Sequence, residues 1–261
     1  MSTDTKYLII LPAGISSLHK PWILHDECKY EILLIDYSKN GVHDNGKHKY
    51  YFKAQGPKWI IVKEAIEAFE EEISKYEYIW IPDDDIFIHQ KNIVRIFKLA
   101  EKYNLSIAQP ALSIDSYYSF RFTTKVPMVE TRITNFVEIM APLFRTEVLL
   151  GIKHSFDFIK SGWGIDYYCQ KYASEKNLLM GVIDKYDITH TRPINIFVKS
   201  GYESNKSGFY KEYNVNPHEE LATFLKHFEI KPKVPKTLKA YMTKYLRIPA
   251  GLCRIQNKRL S

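Results

Sequence analysis

The sequence predicts an α/β domain with a Rossmann-like, mostly parallel central sheet flanked by helices. Short apolar runs that close at turn residues alternate with stretches of helical periodicity through the first half of the chain. The order strand, helix, strand favours parallel pairing through crossover helices. With 261 residues, 45% of them hydrophobic, the chain can also bury a sizeable core.

The elements follow in order. Tyr7-Leu8-Ile9-Ile10-Leu11 stops at Pro12 and Gly14 and reads as a first buried strand. Ile32-Leu33-Leu34-Ile35 ends at Asp36 and gives way to a loop carrying Asn40-Gly41 and Asn45-Gly46. Trp59, Val62, Ile66, Phe69 and Ile73 recur at steps of three and four, the pattern of a core-facing helix. A third strand, Tyr78-Ile79-Trp80-Ile81, runs into Pro82 and three aspartates. Ile93, Ile96, Phe97, Ala100 and Tyr103 keep helical spacing, and Leu105-Ser106-Ile107-Ala108 is a further buried strand. From 116 to 145 only short strands are expected. Pro232 and Pro235 mark a linker that ends the main domain, 1–230, and starts an extension, 231–261. Within that extension Leu238, Tyr241, Met242, Tyr245 and Leu246 oppose Lys239, Lys244 and Arg247, which predicts a basic amphipathic helix.

The net charge of +7 belongs to this extension. From Lys231 onward stand nine Lys/Arg and no Asp/Glu, leaving 28 basic against 30 acidic residues before it. A near-neutral body without a recognised nucleic-acid motif argues against a nucleic-acid partner. A cationic helix after a linker suits an anionic membrane surface, and packing back on the domain is the competing reading. Cys28, Cys169 and Cys253 are odd in number and in no metal or redox spacing, which fits a reducing cytoplasm. No window has the length of apolar sequence that spans a bilayer, and no signal peptide is visible. The expected location is the cytoplasm, with peripheral attachment to the inner membrane face as an option.

Asp83-Asp84-Asp85 is the most informative feature. Open parallel sheets bind ligands just beyond the carboxyl ends of their strands, and adjacent carboxylates call for a cation, an arginine or partial protonation. Oxygen ligands suit Mg²⁺ or Mn²⁺ held together with diphosphate oxygens. A solvated acidic turn capping the helix near Asn92 is the bland alternative.

Ile79-Trp80-Ile81-Pro82-Asp83-Asp84-Asp85-Ile86-Phe87 resembles the Asp-x-Asp metal motif of GT-A glycosyltransferases. Ser161-Gly162-Trp163-Gly164-Ile165-Asp166 resembles the Gly-Trp-Gly-x-(Glu/Asp)-Asp signature of inverting members. Leu11-Pro12-Ala13-Gly14 with Ser17-Leu18-His19 and Trp22, Ala108-Gln109-Pro110-Ala111, and Val182-Ile183-Asp184 with His190 are similar to a plant and bacterial GT-A-like family. The resemblance spans 6–193. It implies a nucleotide-sugar donor, a UDP-sugar first, and a glycan or lipid-linked acceptor.

By that resemblance Asp85 ligates the metal, Asp83 reaches the ribose or a metal-bound water, and His190 completes the metal site. Asp84 lies with the donor. Asp166 is the base for the acceptor hydroxyl, Trp163 stacks on a pyranose face, and Gly164 lets the chain pass close to the sugar. A core tryptophan and an ordinary first-turn acid are the alternative for that pair. Ile165 stands where many inverting enzymes carry a second acid, so a retaining mechanism stays open. Topology places the nucleotide near Pro12, Ala13, Gly14 and Asp36. Lys58 is a candidate for uracil or phosphate, with a solvated lysine as the commoner case. Glu138, an acid inside an apolar run, either holds substrate hydroxyls or pairs with Arg132 or Arg145. The stretch 201–208 is a candidate lid. Competing functions are a metal-dependent nucleotidyl- or phosphoryl-transfer enzyme, against which the lack of a Walker loop counts, and a noncatalytic binding protein using the tail.

Overall fold

The computed structural model describes residues 5–23, 29–39, 41–42, 46–192, 213 and 215–242. Strands β1 Tyr7–Ala13, β2 Glu31–Asp36 and β3 Tyr50–Lys53 come first, followed by α1 Lys58–Ala68 and α2 Glu70–Ile73. Then come β4 Tyr78–Trp80, β5 Ile86–Phe87, α3 Gln90–Lys102, β6 Ile107–Leu112, β7 Val129–Thr134 and β8 Leu143–Arg145. The chain continues through α4 Thr146–Ile152, α5 Ile165–Glu175, β9 Met180–His190, α6 Pro217–His227 and β10 Thr237–Met242.

The strands form one mixed sheet in the order β10-β7-β9-β6-β8-β4-β1-β2-β3, with β5 paired antiparallel to β9. Its β3-β2-β1-β4 part is parallel throughout and has the strand order of a mononucleotide-binding half. Antiparallel β8 separates it from the parallel pair β6–β9. Successive side chains of a strand point to opposite faces, and both faces here are covered. Leu8 and Ile10 join the core under α1, α4 and α5, while Tyr7, Ile9 and Leu11 join the core under α3. That is why β1 is a continuous apolar run rather than an alternating one.

Three departures from the sequence reading have local causes. The helix expected over 59–73 breaks at Phe69 (φ −126°, ψ 26°) into α1 and α2, and the Phe69 ring packs against Tyr50 and Phe52 of β3. That edge strand, half exposed and set in polar sequence, carries little apolar signal. Strand β6 runs past Ala108 through Pro110, which is tolerated because β8 pairs only with Ile107 and Ala108 and has ended before the proline needs a donor.

The expected basic helix is corrected over its described part. Thr237–Met242 is a strand, antiparallel to β7, with Ala240 opposite Arg132. An open sheet edge offers a full row of backbone partners, and Tyr241 stacks on Tyr103 with ring centroids 4.3 Å apart. Asn135 bonds the backbone of Val234 and Lys236, and Gln170 bonds that of Lys233, so the proline segment is tied to the domain on its way there. The central sheet therefore extends past position 230. Lys244, Tyr245, Leu246, Arg247 and the candidate lid at 201–208 lie outside the described residues. Among the described residues no helix is long and apolar enough to cross a membrane.

Candidate functional site

The three aspartates leave β4 in three directions. Asp83 is fixed by its own N–H to Met140 O (2.9 Å) and by Lys58, whose ammonium lies 2.5 Å from Oδ1. Asp84 accepts from the Gly14 N–H (2.9 Å), the Tyr37 hydroxyl (2.7 Å) and Arg192 (3.1 Å). Asp85 points to His190, and backbone register explains why: Ile86 pairs with His190 across β5 and β9, and Thr191 donates to Asp85 O. The acidic turn does not cap the next helix, since α3 has no side-chain cap bond at His89.

Asp83, Asp85 and His190 each offer a ligand atom within 4.8 Å of the others. His190 Nε2 is 3.2 Å from Asp85 Oδ1 and 4.0 Å from Asp83 Oδ2. The nearer contact is not aligned as a hydrogen bond, so Asp85 Oδ1 is buried with no hydrogen-bond partner. Buried polar atoms left in that state are costly. Two carboxylates and an imidazole converging on such a point fit a divalent cation. Burial alone would lower the His190 pKa, but the Asp85 and Asp83 carboxylates outweigh it and raise it. Burial raises that of Asp83 too, with Lys58 opposing.

Next to Asp84 a cleft is lined by Gly14, Ile15, Ser16, Tyr37, Ser38 and Lys39. Pro12 and Ala13 are buried under it as the last residues of β1, paired with Ile35 and Asp36. At Gly14 a Cβ would stand 2.7 Å from the Tyr37 hydroxyl oxygen, so a side chain there would push aside the ring that bonds Asp84. Asp36 is fully buried, and its oxygens accept from the Ser38 N–H and hydroxyl, the Tyr51 hydroxyl and Lys53. Burial would raise its pKa; Lys53, Ser38 and Tyr51 instead hold it well below the usual carboxylate range. Asp36 thus organises β2 and β3, its oxygens engaged within the protein. Lys58 points under the aspartates, with every observed polar contact of its ammonium to protein oxygen. Tyr37 and Arg192 were missed by sequence reading. Their only signals are adjacency, Tyr37 to Asp36 and Arg192 to the His190 segment.

The second half of the site is built on the turn before α5. Gly162 (φ 79°) and Gly164 (φ 116°) adopt left-handed backbone, a region that favours glycine. A Cβ on Gly164 would meet Phe224 of α6 at 2.8 Å. Glu220 of α6 accepts the N–H groups of Lys160 (2.7 Å) and Ser161 (2.8 Å), clamping the turn. Trp163 is half buried against the core and meets His218 edge to face at 5.3 Å. Asp166 follows in the first turn of α5, buried, with Oδ1 accepting the Tyr167 N–H at 2.8 Å. Burial pushes its pKa up to about 7; the Tyr167 N–H opposes and the Glu138 charge adds.

Glu138 is buried too, accepting from the Ser119 N–H (3.2 Å) and the Thr123 hydroxyl (2.9 Å). Burial raises its pKa against those two donors. The predicted arginine pairing is corrected: Arg132 grips Asp184 with two nitrogens, and Arg145 bonds Asn104. Glu138 interacts electrostatically with both His190 and Asp166, so it links the two halves of the site.

No protein-family model matches this sequence, and no curated protein matches it. Similar solved structures include S. aureus TarS 1–349 in complex with UDP-GlcNAc, at 14% identity and a TM-score of 0.48, covering 86% of this chain and 73% of that one. Another is S. aureus TarS 1–349, at 11% identity and a TM-score of 0.46, covering 86% and 72%. With likeness this distant, the functional argument rests on the site itself.

Proposed function

We propose that this protein is a metal-dependent, inverting glycosyltransferase of GT-A type that moves a sugar from a nucleotide diphosphate sugar, a UDP-sugar first, to a hydroxyl of a glycan or lipid-linked acceptor. One observation carries the reading: Asp83, Asp85 and His190 converge, with Asp85 Oδ1 buried and unpartnered, at the carboxyl end of a parallel strand, where open sheets bind nucleotides.

Asp83, Asp85 and His190 would hold Mn²⁺ or Mg²⁺, which as a Lewis acid neutralises charge on the leaving diphosphate. Arg192 and the Gly14 N–H hold Asp84 in place at the edge of the donor cleft. Asp166 takes the proton from the acceptor hydroxyl. A pKa near 7 suits that task, since a base titrating near the working pH is both available and strong enough. Glu138 keeps a second carboxyl beside it and offers oxygens to substrate hydroxyls. Nine Lys/Arg without an acid after position 230 support contact with an anionic membrane at the cytoplasmic face.

The test is release of nucleoside diphosphate from a panel of nucleotide sugars with Mn²⁺ and with chelator. Metal-dependent release that rises when an acceptor glycan is added is the expected result. Release of nucleoside monophosphate or pyrophosphate instead would point to phosphoryl or nucleotidyl transfer and refute the proposal.

A further inference from the structure

Lys58 opens α1 with a side chain only 21% exposed. Its ammonium sits 2.5 Å from Asp83 Oδ1 and 3.2 Å from each of the carbonyl oxygens of Ile81, Ile139 and Met140. An ammonium has three N–H donors, and four acceptors surround this one, so none is left over for a nucleotide. The Trp59 ring lies 5.1 Å from the same nitrogen and is itself buried, which keeps the head of α1 in place.

We propose that Lys58 is a positioning residue for the cation site, holding Asp83 by Oδ1 so that Oδ2 is presented toward Asp85 and His190. This rests on the metal-dependent reading above and deepens it. The two oxygens of Asp83 are divided between the ammonium and the cation site, with Oδ2 4.0 Å from His190 Nε2. The backbone around it is closed into the same knot, since Ile81 N bonds Pro142 O and Asp83 N bonds Met140 O. Lys58 is the member that joins α1, the end of β4 and the segment after Glu138. Outer groups that orient a ligating side chain govern metal affinity nearly as strongly as the ligands do.

The proposal is sharp because simple electrostatics predicts the opposite sign. A fixed positive charge next to a cation site repels the cation, so its removal alone would tighten metal binding. Positioning predicts loosening.

The experiment is a Mn²⁺ titration without nucleotide, reading the paramagnetic resonance of the free ion, on wild type, Lys58→Met and Lys58→Arg. Mn²⁺ affinity is expected to fall about tenfold or more in both variants, because arginine keeps the charge but its planar fork does not fit a compact cage of one carboxylate and three carbonyls. Unchanged or tighter binding in Lys58→Met, or wild-type affinity in Lys58→Arg, would overturn it. Thermal melting in chelator checks folding, and if the methionine variant does not fold, the arginine variant decides alone. Absence of Mn²⁺ binding by wild type would instead overturn the metal site and, with it, the reading on which this rests.

Discussion

The two halves of the site treat carboxylates in opposite ways. On the β4 side Asp83 and Asp84 each have a fixed cation, Lys58 and Arg192, while Asp85 faces His190 with its Oδ1 unpartnered. On the α5 side Asp166 and Glu138 meet only neutral donors, a backbone N–H for one and an N–H and a hydroxyl for the other. In the first set a fixed cation opposes the burial that raises the Asp83 pKa. Burial drives the second set toward the protonated form. The first arrangement suits charge neutralisation and the second suits moving a proton, a division of labour that a single acidic pocket would not provide.

The largest expected effect is on the α5 side. Asp166→Asn should lower kcat by about 10²–10⁴-fold, the usual contribution of a general base, with donor and metal binding unchanged by calorimetry. Loss of donor binding in that variant would erase the distinction between the halves.

The same residue should destabilise the fold at neutral and higher pH. Its carboxyl has a folded pKa of about 7 against an ordinary value of 3.8. Between those values the folded state binds more protons than the unfolded state, so stability falls as pH rises through that window and the loss is complete above it. Removing the charge should therefore raise the Tm at pH 8, by up to ~4 kcal/mol of stability at 1.36 kcal/mol per unit. The difference should close below pH 4. Equal melting of wild type and Asp166→Asn at pH 8 would contradict the assigned burial.

Glu138→Gln tests the coupling between the acids. It keeps an oxygen to accept from Ser119 or Thr123 while removing the charge that raises the Asp166 pKa. Asp166 acts when deprotonated, so the acidic limb of kcat/KM should move to lower pH. A limb that stays put would make Glu138 an independent element. The smallest effect is expected at Glu220, where Glu220→Ala removes two bonds to the 160–161 backbone. A partly exposed pair of this kind contributes on the order of 1–3 kcal/mol, and chemical denaturation should register a loss in that range.

Legibility in the sequence follows the same divide between local and long-range causes. Strands β1, β2 and β4 and helix α3 were readable because burial on both faces, or on one stripe, writes itself into apolar spacing. The acidic cluster and His190 were readable as residue types at the end of strand-like runs. How three adjacent acids are shared out was not, since Lys58 stands 25 positions before Asp83 and Arg192 108 positions after Asp84. The apolar spacing around Leu238, Tyr241 and Met242 was compatible with a helix, and only the open edge of β7 decides for a strand. Glu138 was conspicuous as an acid in an apolar run, yet its partners proved to be a hydroxyl and an N–H rather than the arginines, which serve Asp184 and Asn104.

The most direct test of the metal-dependent donor site is calorimetric titration of nucleotides and nucleotide sugars in Mn²⁺ and in chelator, on wild type and Asp85→Ala. The account predicts that one nucleoside diphosphate class binds wild type only with Mn²⁺ and that Asp85→Ala binds none. Equal binding in chelator, or binding retained by Asp85→Ala, would contradict it.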